Sequence, residues 1–217
     1  MSDRYSERLR TAFAADWSAA IGHRFVDELF AGTVAPERMR AYLVQDYQFI
    51  DRFVALLGSA IASADLFTSR VRLAQFTAMI TGEENTYFQR AFDALGVPAG
   101  EREAPALAPV TRDFQALMGE AADSRDYAAC LAVLSVAEGL YLDWADRPGT
   151  TLPADFIHAE WITLHNNDVF RAFVAWLRSE LDRVGATLAP ERERQVRALF
   201  GRAVALERAF FDHVYAP

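Results

Sequence analysis

Residues 36–57 read PERMRAYLVQDYQFIDRFVALL, and the spacing inside this stretch decides the fold class. Met39, Tyr42, Leu43, Asp46, Phe49, Ile50, Phe53, Leu56 and Leu57 recur at intervals of three and four residues. That is the period of one face of an α-helix, whereas a half-buried strand alternates at every second residue. Pro36 suits a first helical position, because the N–H it lacks is one that a helix start cannot satisfy internally. One residue on this apolar face is out of character, and that is Asp46.

Working outward, the same period runs through 71–95, 127–144, 156–184 and 190–215, and 9–30 reads as one or two shorter helices. Turn chemistry gathers at 32–36, 63–65, 96–109, 147–153 and 185–190. Ser63 or Asp65, Ser124, Pro36 and Pro190 stand where helix starts want a cap or a first-turn proline. The expectation is all-α: a single helical domain over residues 1–217, folded as a bundle of about seven or eight helices. No repeat, low-complexity tract or domain boundary is visible.

The chain has 217 residues, 52% of them hydrophobic and 24% charged, which suffices for a sizeable core without metals or disulfides. All 22 basic residues are arginines, so lysine Schiff-base chemistry is excluded. A net charge of -8 with no basic run argues against nucleic acid and against anionic membrane surfaces. One cysteine, Cys130, can close no internal disulfide and suits a reducing compartment. MSDRYSERLRTAF lacks the apolar core of a signal peptide, and no later apolar run reaches bilayer length without charges, so a cytoplasmic protein is expected.

Carboxylates on apolar faces carry the functional signal, because an unpaired buried charge costs several kcal/mol and must be matched or neutralised. Asp46 is not alone. Glu84 lies one turn from Ile80 and Phe88, Glu138 lies between Leu134 and Tyr141, and Glu207 lies between Ala203 and Phe210. A single such acid is accounted for by an arginine partner. Four from four different helices, each with Phe or Tyr at helical spacing, imply a ligand cavity with polar anchors on aromatic walls and carboxyl pKa values pushed apart.

His165 shares an apolar face with Trp161 and Val169. A carboxylate-bridged di-iron bundle needs Glu-x-x-His on two helices, and the residues three before His23, His158, His165 and His213 are Ala20, Asp155, Ile162 and Phe210. No metal and no cofactor is therefore expected, with His23 only an isolated candidate for haem.

Several strings resemble the TenA-type thiaminase II family: HRFVDELFAGTVAPERMRAYLVQDYQFI at 23–50, GEENTYFQRAFDALGV at 82–97, PVTRDF at 109–114, WITLH at 161–165 and LERAFFDHVY at 206–215. The likeness runs in order along nearly the whole chain. It implies a helical bundle of the haem oxygenase type, a homotetramer, and a pocket for the aminopyrimidine half of thiamin. By the same resemblance Asp46 matches the carboxylate that holds the aminopyrimidine, and Phe49, Phe114, Tyr141 and Phe210 match residues around its ring. Glu207 matches the catalytic acid/base.

The common branch of that family has a cysteine four residues before the tyrosine, where this chain has Ala137, followed by Glu138. His165 stands where that branch usually has Tyr. The sequence therefore resembles the cysteine-lacking branch, in which carboxylates carry the hydrolysis of amino- or formylamino-pyrimidines. Cys130 lies seven residues before Ala137, about 10 Å along a helix axis, too far to replace the missing nucleophile. The expected machinery is an aromatic slot of Phe49, Phe114, Tyr141 and Phe210, Asp46 as orienting acceptor, His165 as a further substrate contact, Glu207 with Glu138 as acid and base, and Glu84 in support through Tyr87 or an arginine. Two alternatives stay open: a pyrimidine-binding or regulatory protein without turnover, and an oxidase or metal protein on the same bundle.

Overall fold

The computed structural model describes residues 4–147 and 151–216. Twelve α-helices and one π turn occur among them: α1 Tyr5–Ala12, α2 Ala14–Ile21, α3 Arg24–Ala31, α4 Pro36–Ser63, α5 Phe67–Met79, the π turn Ile80–Glu84, α6 Asn85–Ala94, α7 Ala99–Glu103, α8 Pro109–Asp123, α9 Tyr127–Ala145, α10 Phe156–Leu164, α11 Asp168–Gly185 and α12 Pro190–His213. Among the described residues there is no strand. Every periodic stretch of the sequence is helical, and the expected seven or eight become twelve partly by subdivision; in addition α8 fills 109–123 between those stretches, and the short α7 forms inside 96–109, where only a turn is expected. Residues 9–30 fall into three short helices, 71–95 breaks at the π turn, and 156–184 breaks after Leu164.

Several boundaries have a local cause. Pro36 and Pro190 open α4 and α12. Gly32 closes α3 in the left-handed region, at φ 67°, where a side chain would be strained, and Gly96 does the same after α6 at φ 65°. The start of α9 is capped by Asp126, whose carboxylate accepts from the Ala129 N–H at 2.8 Å. Ser124, expected as a helix start, instead follows the end of α8 and accepts from the Asp126 N–H at 3.2 Å. Leu66, without a side-chain cap, precedes α5, so neither Ser63 nor Asp65 caps that helix. The 147–153 turn lies partly outside the described residues.

Helix α9 is the axis of the bundle. Every residue in it except Asp143 is buried, which is why its sequence shows no polar face. It meets α4, α8, α11, α12 and α2, and each fully buried Leu or Val contributes roughly 1.5–3 kcal/mol. Asp143 is held at the rim by the Trp17 indole at 2.9 Å and by the guanidinium groups of Arg10 and Arg178 at 2.7 and 2.9 Å. By length and hydropathy α9 is the one helix among the described residues that could cross a membrane, and 89% of its most apolar window is buried inside the protein.

Candidate active site

Four elements enclose a cavity, the slot, in the middle of the bundle. Helix α4 contributes Asp46, Phe49, Ile50 and Phe53; the π turn contributes Ile80 and Glu84; α9 contributes Ala137, Glu138 and Tyr141; and α10 with its C-cap contributes Trp161 and His165. The cavity measures about 360 Å³ including its mouth. Its walls are aromatic, and its polar groups are three carboxyls, a tyrosine and a histidine. Ala137, beside Glu138 in the chain, presents only a methyl group to the lining.

The carboxyls are buried with no cation to match them. Asp46, Glu84, Glu138 and Glu207 are 6, 8, 7 and 2% exposed. Among the described residues none of the four makes a salt bridge. Burial pushes Asp46 up to about 7, partly offset by the hydroxyl of Tyr141, which donates to its Oδ1 at 3.4 Å. Burial and the charge of Asp46 push Glu84 up to about 8. Glu138 is driven well above the usual carboxylate range by burial and by Glu84, Glu207 and Asp46, and Glu207 by burial and Asp46. Four like groups in one electrostatic neighbourhood cannot all ionise near neutrality, so they titrate as a set with protons to exchange.

Glu180 shows what a structural acid looks like in the same protein. It is equally buried at 6%. Yet Arg183 at 2.8 Å, Ser69 at 2.5 Å and Tyr127 at 2.9 Å all donate to it, and together they hold it below the usual carboxylate range. The slot acids have no such set of partners. Glu207 Oε1 in particular is buried without a hydrogen-bond partner.

His165 is neutral. Its Nδ1 donates to the Trp161 carbonyl at 2.8 Å, and burial lowers it to about 4. That bond places the proton on Nδ1 and leaves Nε2 as an acceptor.

Of the residues expected from the sequence, the structure gathers Asp46, Phe49, Glu84, Glu138, Tyr141 and His165 on the slot. Three sit elsewhere. Phe114 meets Phe49 edge-on at 4.9 Å and so stands behind the wall, and Phe210 meets Tyr42 edge-on at 5.5 Å. Glu207 does not line the slot either, but its charge acts on Glu138, Tyr42 and Tyr141. The slot's aromatic walls are therefore Phe49, Phe53, Tyr141 and Trp161. Glu84 is a lining residue rather than a supporting one, and Tyr87 is spent on the Ile157 carbonyl at 2.8 Å.

Tyr42 was not singled out by the sequence, where it reads as one more core aromatic; in the structure its hydroxyl meets that of Tyr141 at 2.7 Å. Cys130 lies off the slot, its Sγ donating to the Ala121 carbonyl at 3.5 Å and its thiol pushed up to about 11 by burial. His23 caps α3, where its Nδ1 accepts from the Phe25 N–H at 3.0 Å. Among the described residues no three His, Cys, Asp or Glu side chains are grouped so as to hold a metal ion.

Proteins similar to this chain in sequence and in fold are known. The chain is 26% identical over 215 residues to the aminopyrimidine aminohydrolase of Bacillus subtilis, covering 98% of this chain and 90% of that one. It is 25% identical over 203 residues to the aminopyrimidine aminohydrolase of Halalkalibacterium halodurans, covering 92% and 90%. A TenA family transcription regulator from Silicibacter superposes with a TM-score of 0.87 at 22% identity over the whole of both chains. A TenA homologue from Pyrococcus furiosus superposes with a TM-score of 0.87 at 18% identity, covering 97% and 99%. The profile of the TENA/THI-4/PQQC family matches residues 11–216, and the chain belongs to that family.

Proposed function

We propose that this protein hydrolyses amino- or formylamino-pyrimidine breakdown products of thiamin, with carboxyl groups in place of a cysteine nucleophile. The observation that carries the reading is the set of buried acids with no cation beside them on one narrow aromatic slot. A flat ring bearing amines supplies what they lack: stacking surface for Phe49 and Trp161, and N–H donors for the carboxylate of Asp46. Nε2 of His165 offers a second acceptor. The names of the two bacterial relatives support the same substrate class.

The chemistry then falls to Glu138, on the slot, and to Glu207, which stands off the slot but acts electrostatically on Glu138 and has an unpartnered Oε1, as its proton-sharing partner. In the formylamino case the ionised member of the pair takes a proton from water as its oxygen adds to the formyl carbon. The C–N bond then breaks, and the protonated member delivers its proton to the leaving nitrogen, giving formate and the amine. In the aminomethyl case the same water oxygen bonds the ring methylene carbon and ammonia leaves. Ala137 offers no thiolate, so no covalent adduct forms at that position.

The test is turnover of thiamin, the aminomethyl-pyrimidine and its N-formyl derivative by purified protein. Hydrolysis of either pyrimidine amine is expected. Tight pyrimidine binding with no turnover of any of the three would instead favour a binding or regulatory protein, a reading motivated by the absent thiol.

A further inference from the structure

The slot does not end at Ile50 and Ile80. Both side chains also line an outer vestibule of about 1030 Å³, open to solvent. The π turn serves both compartments, since Ile80 faces each, Glu84 lines the slot and Thr81 lines the vestibule. A π turn departs from the regular hydrogen-bond ladder of its helix, and such turns recur where a helix must present side chains to a site.

The vestibule is built rather than incidental. Tyr47 donates its hydroxyl proton to Asn85 Oδ1 at 3.0 Å, Gln48 Nε2 donates to the Arg102 carbonyl at 2.8 Å, and Gln115 Nε2 donates to the Gln48 carbonyl at 2.8 Å. These bonds tie α6, α7 and α8 to α4. They also engage the tyrosine hydroxyl and the amide N–H groups of both glutamines. The guanidinium of Arg102 is spent on Asp93 at 2.7 Å and the Val97 carbonyl at 2.8 Å. The amide oxygens of Gln48 and Gln115 and the carboxylate of Glu103 remain, and Asp51 carries only a long, exposed ion pair to Arg52 at 3.8 Å, so the lining offers acceptors and negative charge.

We propose that this vestibule is a leaving-group subsite: with the pyrimidine in the slot, a substituent on its side-arm nitrogen passes between Ile50 and Ile80 and lies among these acceptors. The proposal rests on the hydrolase reading above. It assigns to the protein substrates whose nitrogen carries a neutral or cationic, hydrogen-bond-donating acyl group, and it disfavours anionic ones. Hydrolysis of such an amide adds water across the acyl C–N bond, releasing the carboxylic acid and the pyrimidine amine.

The experiment compares kcat/KM for the N-formyl, N-glycyl and N-succinyl derivatives of the aminomethyl-pyrimidine, the last two bearing an ammonium and a carboxylate. The wild type is expected to favour N-glycyl over N-succinyl by about tenfold or more. Thr81→Trp, on the π turn, and Gln115→Trp, on α8, are each expected to cut the N-glycyl to N-formyl ratio by about tenfold, read within one folded variant so that stability cancels. Equal rates for the N-glycyl and N-succinyl compounds, or a ratio unmoved in both variants, would overturn the subsite and leave the hydrolase reading standing. So would turnover of the N-formyl compound alone. No turnover of any of the three would overturn the subsite, and with the free aminomethyl-pyrimidine also left intact it would overturn the hydrolase reading as well.

Discussion

The hydroxyls of Tyr42 on α4 and Tyr141 on α9 lie 2.7 Å apart in the core, and Tyr141 reaches on to Asp46 Oδ1 at 3.4 Å. A hydroxyl has one proton to give. With that of Tyr141 directed to Asp46, the proton between the two tyrosines comes from Tyr42. Tyr42 thus sets the orientation of a group that tunes Asp46 without lining the slot itself.

Tyr42→Phe is therefore expected to weaken pyrimidine binding severalfold and to lower stability by about 1–2 kcal/mol, because a buried hydroxyl loses its partner. Calorimetric titration with an aminomethyl-pyrimidine and a thermal melt check both. Unaltered affinity would show that the tyrosine pair is packing only.

Stability should fall as pH rises from 6.5 to 8.5. Asp46 and Glu84 hold their protons up to about 7 and about 8 in the folded chain, whereas the unfolded chain has released them by then. In that window the unfolded state binds fewer protons, so raising pH favours it. His165 acts in the opposite sense, but only between about 4 and its ordinary value of 6.5, below the window. Glu84→Gln should flatten the dependence of Tm on pH, and an unchanged slope would show that Glu84 is already ionised.

A change remote from the slot should separate folding from activity. A Cβ on Gly185 would fall 2.1 Å from Cδ1 and 2.5 Å from Cγ of Tyr5, a buried ring that cannot swing away at its root. Gly185→Ala is expected to cost about 1–3 kcal/mol and a few degrees of Tm, with turnover per folded molecule unchanged.

Cys130→Ala should leave turnover within about twofold of wild type, as expected for a small buried hydrophobe. Thiol-alkylating reagents should likewise leave the native enzyme active. Loss of activity in either experiment would bring a thiol back into the mechanism.

The helices and the acids were legible in the sequence for the same reason. A period of three and four residues makes an apolar face visible, and on such a face Asp46, Glu84, Glu138 and Glu207 stand out. Depth was not legible. Phe49 and Phe114 carry the same signal in the sequence, yet Phe49 lines the slot and Phe114 packs behind it. Periodicity assigns a residue to a face, while the distance from that face to a cavity depends on how neighbouring helices cross. The π turn was hidden because its side chains keep helical spacing, so Glu84 reads as an ordinary helical residue although the turn carries it onto the slot. Glu180 does not stand out in the sequence, and its partners, one of them Arg183 only three residues away, make it structural.

Carboxyl-based hydrolysis is tested most directly by Glu207→Gln. Turnover of the preferred pyrimidine amine and its affinity should be measured together on wild type and variant. The expected result is a loss of roughly 10²–10⁴-fold in kcat with affinity little changed, since an amide can neither donate nor take the proton that the reaction moves. Turnover at the wild-type rate in this variant would contradict carboxyl-based hydrolysis by Glu207.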